Sequence, residues 1–133
     1  MRLNHINLCV NDLTEAREFF QNCFDLKFLD QKGKAIVIMS DGHGFTLVLS
    51  NPLAFKDVEE IQPYPGGFHI GFLQDSEAQV DQIYQRLKAA GVQLTQEPRN
   101  MRGIYGFYFT ALNDLLIEVS TQLEQITTEA IAG

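Results

Sequence analysis

The chain has no tryptophan, two cysteines and four prolines in 133 residues, and it is short of positive charge, with 10 Lys and Arg against 17 Asp and Glu for a net charge of −7. A surface of that sign repels phosphate backbones and anionic head groups, so nucleic-acid and membrane-surface roles are set aside. No window reaches the roughly 18 uninterrupted apolar residues of a membrane span. The opening MRLNHINLCVND has neither an apolar h-region nor a small-residue cleavage site and reads as a strand, not a secretory signal. Cys9 and Cys23 show no CxxC pair or framework spacing, so they read as reduced core thiols of a cytoplasmic protein. What remains is 45% hydrophobic and 20% charged, with ten phenylalanines. That is the balance of a globular core packed with medium-sized aromatics.

Periodicity organises this material into two similar halves. Residues 3–10 form an apolar-rich, alternating run, read as a strand that stops at Asn11-Asp12. Asp12 with Glu15 makes a capping box for a helix whose buried stripe is Ala16, Phe19, Phe20, Cys23 and Phe24. Strands are predicted at 26–31, 34–40 and 45–50, with Gly33 and the Asp41-Gly42-His43-Gly44 cluster as hairpin turns and His43 exposed. Residues 51–65 carry Pro52, Pro63 and Pro65 and read as an irregular linker. The order then returns. FHIGFL is a strand, Ser76 and Gln79 cap a helix with Val80, Ile83, Tyr84 and Leu87 on one face, and Gly91 ends it. Strands are predicted near 92–97, 104–110 and 115–120, with Asn113-Asp114 at the last turn. The fold expected is α+β: a first βαβββ module at 1–50, the linker at 51–65, a second module at 66–120, and a frayed helical tail at 121–133.

Strand period two then sorts side chains by face. On the first strand Ile6, Leu8 and Val10 face the helix, and His5, Asn7 and Cys9 face away. In the second module Ile70 and Phe72, Phe107 and Phe109, and Leu115, Ile117 and Val119 form the core set. The opposite set is His69, Gly71 and Leu73, then Gly106, Tyr108 and Thr110, then Leu116, Glu118 and Ser120. A second sheet face carrying His, Asn, Tyr and Glu among apolar neighbours suggests a concave lining for a small molecule. Glu118 lies within Leu-Leu-Ile-Glu-Val-Ser, where a carboxylate is costly to desolvate unless a cation or strong donors meet it. Two histidines and one carboxylate suit a divalent catalytic metal such as Fe(II), Mn(II) or Zn(II). Taken singly, each residue also fits an ordinary role: a hydrogen-bonded core histidine, or a glutamate paired with Arg99 or Arg102.

At these positions the sequence resembles the vicinal oxygen chelate superfamily, also called the glyoxalase/bleomycin-resistance/dioxygenase superfamily. The segments NHINLCVNDLTEAREFFQNCFDLKF, FHIGF and GFYFTALNDLLIEVS carry the resemblance, which covers essentially the whole chain. It implies paired βαβββ modules forming a cupped, barrel-like mixed sheet with helices on the outer face, and a homodimer. It also implies metal ligands at His5, His69 and Glu118, with the fourth ligand position falling on Val48, which cannot ligate. Glyoxalase I enzymes are similar but use four protein ligands, so Val48 counts against that activity. Three ligands resemble the sets of extradiol dioxygenases and of manganese-dependent fosfomycin-resistance transferases, in which Tyr108 is the matching tyrosine. The stretch 121–133 has no Lys or Arg to hold a phosphonate.

The expectation is therefore a metal-dependent enzyme (lyase, dioxygenase or transferase) using Fe, Mn, Zn or Ni on a small oxygenated substrate. Tyr108 and Asn7 would be hydrogen-bond donors beside the metal, and Arg99 or Arg102 would orient an anionic substrate group. The competing expectation is a metal-free sequestering protein of the bleomycin-resistance type, and a weaker third is a structural dimer module.

Overall fold

The computed structural model describes residues 1–55 and 58–122. The chain divides into two compact units, Met1–Pro63 and Tyr64–Gly133. The first contains β1 (His5–Cys9), α1 (Leu13–Phe24), β2 (Lys27–Lys32), β3 (Ile36–Ser40) and β4 (Thr46–Ser50). Its mixed sheet has the order β1-β4-β3-β2, with β1 and β4 parallel and the other pairs antiparallel.

The first helix begins where the sequence places it. Asp12 is extended and its carboxylate accepts from the Glu15 N–H at 3.0 Å, satisfying one of the orphan donors of the first turn. It stops at Asp25, which takes the left-handed conformation at φ 57°, and the Leu26 N–H returns to the Phe20 carbonyl at 3.2 Å. Leu13, Ala16, Phe20 and Cys23 are buried on one face of α1, which packs on β2, β3 and β4. Phe20 is fully buried, with Phe19 edge-on at 5.1 Å. Burying such a side chain contributes about 1.5–3 kcal/mol. The bulge between Phe28 and Asp30 leaves Leu29 unpaired and 55% exposed. With Lys27, Asp30 and Lys32 it marks β2 as a blunted edge strand.

The second unit repeats the order: β5 (His69–Leu73), α2 (Glu77–Ala89), β6 (Arg99–Met101), β7 (Ile104–Ala111) and β8 (Leu115–Gln122), in the sheet β5-β8-β7-β6. Ser76 caps α2 by accepting from the Gln79 N–H at 3.2 Å, and the Gln79 side chain accepts from the Asp75 N–H at 2.9 Å. At the other end Gly91 has φ 83°, its N–H bonds the Lys88 carbonyl, and the Val92 N–H bonds the Leu87 carbonyl. That pair of bonds is a Schellman closure, for which glycine is suited because it has no Cβ penalty in the left-handed region.

Two expectations change. No strand forms at 92–97; β6 is three residues at Arg99–Met101. Pro98 has no N–H to donate, and at Tyr108 the Gln96 side-chain oxygen, rather than a strand carbonyl, accepts the backbone N–H at 3.3 Å. β8 also runs on through Gln122, so the first two residues of the expected helical tail are strand; 123–133 lie outside the described residues. The linker contains one short 3-10 turn at Pro52–Ala54. Cys9 and Cys23 form no disulfide, and Cys23 is buried. Among the described residues no helix is long and apolar enough to cross a membrane.

The face assignment holds throughout. Leu8, Leu49, Phe107, Ile117 and Val119 are fully buried on the helix side. Gly106 is the tightest point of the second sheet: a Cβ there would collide with the Val119 carbonyl and lie 2.7 Å from Ser120 Cα. Gly106→Ala should therefore destabilise the fold by about 1–3 kcal/mol, measured by denaturant unfolding; an unchanged midpoint would contradict this packing.

On the helix side, the Tyr105 hydroxyl donates to Asp81 of α2 at 2.6 Å. That hydrogen bond, then partial burial and the nearby negative charges of Asp81 and Glu77, push the Tyr105 phenol up to about 12. Because the folded value lies above the usual one near 10, the contribution to stability is complete below about pH 10 and is lost as pH rises through about 12. An ultraviolet phenolate titration should show a step near 12 that Tyr105→Phe removes and Asp81→Asn moves downward.

Candidate active site

The two modules share one frame down to strand register. In the first, His5 lies opposite Thr46, Asn7 opposite Val48 and Cys9 opposite Ser50. In the second, His69 lies opposite Leu116, Gly71 opposite Glu118 and Leu73 opposite Ser120. On the antiparallel side Ile38 pairs with Val48, and Tyr108 with Glu118. The equivalences are therefore His5 with His69, Asn7 with Gly71, Val48 with Glu118, Ser50 with Ser120, and Ile38 with Tyr108. The face opposite the helix is polar and ionisable in the second module, whereas in the first it keeps the histidine but carries valine and isoleucine in place of the acid and the phenol.

In the second module four side chains gather on that face. The Tyr108 hydroxyl donates to Glu118 Oε1, and the Ser120 hydroxyl donates to Glu118 Oε2 at 2.9 Å. The rings of His69 and Tyr108 meet edge to face with centroids 5.8 Å apart. Glu118 is half-buried and Ser120 is 5% exposed, so two hydroxyl donors answer the desolvation of the carboxylate. The hydrogen bond to Glu118, followed by burial and the carboxylate's charge, raises the Tyr108 phenol above its ordinary value. No arginine pairs with Glu118 among the described residues, contrary to the ordinary role considered for Arg99 and Arg102.

The histidines are oriented alike. His69 Nδ1 lies 2.9 Å from the Gly67 carbonyl oxygen, and His5 Nδ1 lies 2.8 Å from the Asn4 side-chain oxygen. An oxygen of either kind only accepts, so a ring that bonds it through Nδ1 donates there and, in its neutral form, has the lone pair on Nε2. Metal-binding histidines are commonly prepared this way, by an acceptor on the nitrogen that does not bind. Gly67, at φ 84° in the turn before β5, brings its carbonyl back to the ring. The second module thus carries one imidazole and one carboxylate on the same sheet face, groups whose chemistry suits a divalent cation.

His5 and Asn7 lie in the first module, on the face predicted for them, and there the Ser50 hydroxyl donates to Asn7 Oδ1 at 2.8 Å. Among the described residues no three His, Cys, Asp or Glu side chains group to hold one ion. Within the second module the structure brings together His69, Tyr108 and Glu118. Arg99, on β6, lies opposite Gly106, which in turn lies opposite Ser120, so its backbone register puts it on the site face. Arg102 has φ 50° and precedes Gly103 at φ 86° in the β6–β7 turn. Residue type alone gives Ser120 and Gly71 no role. The signal is the repeat: Ser50 and Ser120 each stand two positions after the 48 or 118 site, and period two puts both on the site face.

The sequence profile of the Glyoxalase/Bleomycin resistance protein/Dioxygenase superfamily matches residues 2–119. The chain belongs to that superfamily. A possible glyoxalase from Bacillus cereus is 41% identical, with 90% of this chain and 97% of that chain covered and a TM-score of 0.73. The genomically encoded fosfomycin resistance protein FosX from Listeria monocytogenes is 25% identical, with 94% and 96% covered and a TM-score of 0.74; a structure of it with Mn(II) and sulfate is also known. Lactoylglutathione lyase from Agrobacterium tumefaciens, at 21% identity with 90% and 92% covered and a TM-score of 0.71, shares the fold. Comparison with curated protein sequences finds no match.

Proposed function

We propose that this superfamily member is a metal-dependent enzyme acting on a small oxygenated substrate, with His69 and Glu118 as the central ligands and His5 as the third. The observation that carries the proposal is that His69, with Nδ1 against the Gly67 carbonyl, and the Glu118 carboxylate both meet the Tyr108 side chain on one sheet face. Membership of a superfamily that includes a protein solved with Mn(II) supports it. The lack of a carboxylate at Val48 favours a three-ligand site over the four-ligand glyoxalase I type.

When bound, a divalent cation would supply Lewis acidity for an enolate or oxyanion. The residues do the rest. Tyr108, whose hydroxyl donates to Glu118, would turn that one proton to a substrate oxygen once the carboxylate engages a cation. Asn7 is the donor offered from the first module. Arg99 is better placed than Arg102 to meet an anionic substrate group, because its register puts it on the site face and Arg102 occupies a hairpin turn. Leu116 and Leu73, on the same face, supply apolar surface around the reacting oxygens. The substrate class is a small molecule with adjacent oxygens, and a homodimer in the cytoplasm is the proposed working form.

One observation favours the metal-free sequestering reading: both oxygens of Glu118 are already engaged by hydroxyls. Metal analysis separates the two. Protein purified without chelator and reconstituted with Fe, Mn, Zn or Ni should retain about one ion per chain, and Glu118→Ala should weaken retention by about 10–100-fold or more, the range lost on removing mere supporting residues. Metal content that stays near zero with all four ions would leave the sequestering reading.

A further inference from the structure

The chain repeats one serine in two settings, and the difference between them assigns a role to a residue that bears no side chain. In the first module the Ser50 hydroxyl donates its single proton to Asn7 Oδ1. In the second module the equivalent Ser120 donates to Glu118 Oε2. The position equivalent to Asn7 is Gly71, directly opposite Glu118 in the parallel register. A serine hydroxyl has one proton to give, so an acceptor at position 71 would compete with the carboxylate for it.

We infer that Gly71 is a positioning and access residue: by offering no acceptor it commits the Ser120 proton to Glu118, and by offering no bulk it leaves the Oε2 side of the carboxylate open to a cation. The space supports the second half of this statement. A Cβ built on Gly71 would lie 3.7 Å from Glu118 Oε2 and 4.0 Å from Glu118 Cβ, ordinary contact distances, and among the described residues beyond its chain neighbours no other heavy atom lies within 4 Å. A methyl group therefore fits against the carboxylate, and anything longer extends over the face from which a ligand approaches. The backbone imposes no need for glycine, since Gly71 is not among the residues with positive φ and pairs regularly within β5 and β8. Its absence of a side chain is thus explained by the site, not by a turn. Holding one carboxylate oxygen through Ser120 fixes the rotamer of Glu118, as supporting hydrogen bonds do for ligating carboxylates.

This inference rests on the metal-binding reading, and the test separates the two. Mn(II) alone is titrated into the full-length protein, with free ion followed by its electron paramagnetic resonance signal, for wild type, Gly71→Ala, Gly71→Asn, Ser120→Ala and the Gly71→Asn/Ser120→Ala pair. Gly71→Ala should bind within about threefold of wild type. Gly71→Asn, which copies the first module, should bind about tenfold more weakly or worse, with an unchanged thermal midpoint. The double variant should be no weaker than the product of the single effects and short of it, because both changes remove the same Ser120–Glu118 bond. If Gly71→Asn does not fold, Ser120→Ala carries the test and should itself lose about tenfold. Wild-type protein that binds no Mn(II), Zn(II) or Ni(II) overturns the metal reading. Wild-type binding that neither Gly71→Asn nor Ser120→Ala weakens overturns the role of Gly71 while leaving that reading standing.

Discussion

The second module depends on keeping a carboxylate, Glu118, on a half-buried strand face without leaving it unmet. A bare carboxylate among Leu116, Ile117 and Val119 would cost several kcal/mol in lost hydration. The second module answers with two hydroxyl donors, Tyr108 from the antiparallel neighbour and Ser120 two positions along the same strand. Everything else in that module serves the placement. β8 is central, held by β5 on one side and β7 on the other, and its alternate residues Leu115, Ile117 and Val119 are fixed by burial against α2. A strand so anchored cannot slip by one residue without sending Glu118 into the core.

Duplication and divergence meet in the same register. The two sheets pair residue for residue, so the first module displays what the frame looks like without the acid: valine at 48, isoleucine at 38, and asparagine at 7 bonded to the repeated serine. The histidine survives in both, and in both its Nδ1 meets an oxygen. Glycine at 71 and the acid at 118 then read as linked changes, since an asparagine opposite Glu118 would compete for the hydroxyl that supports it.

Much of this was legible before any coordinates. Alternation placed Leu8, Ile117 and Val119 inside and His69, Tyr108 and Glu118 on the other face, because burial of one sheet face strongly specifies period-two patterns. The caps at Asp12 and Ser76 and the stop at Gly91 followed from local hydrogen bonding, which short sequence motifs encode directly. The strand expected at 92–97 failed for a nonlocal reason: Val92 and Leu94 alternate as a strand would, but Pro98 and the Gln96 side chain change how β7 is met on that edge. The donors to Glu118 were left open between arginine, a cation and other groups, since which partner reaches a carboxylate depends on cross-strand register rather than on composition. Sequence points to Tyr108 as a donor beside a metal and not as the partner of the acid; Ser120 falls on the same face by alternation, but a lone serine does not name its partner.

The central claim is that His69 and Glu118 face one cation. Its most direct measurement is an anomalous difference map from a crystal soaked in Zn(II). The account predicts a peak about 2.0–2.2 Å from both His69 Nε2 and a Glu118 carboxylate oxygen. A map with no peak there, in a crystal whose His69 and Glu118 are well ordered and whose Tyr108 and Ser120 still hold both carboxylate oxygens, would contradict it.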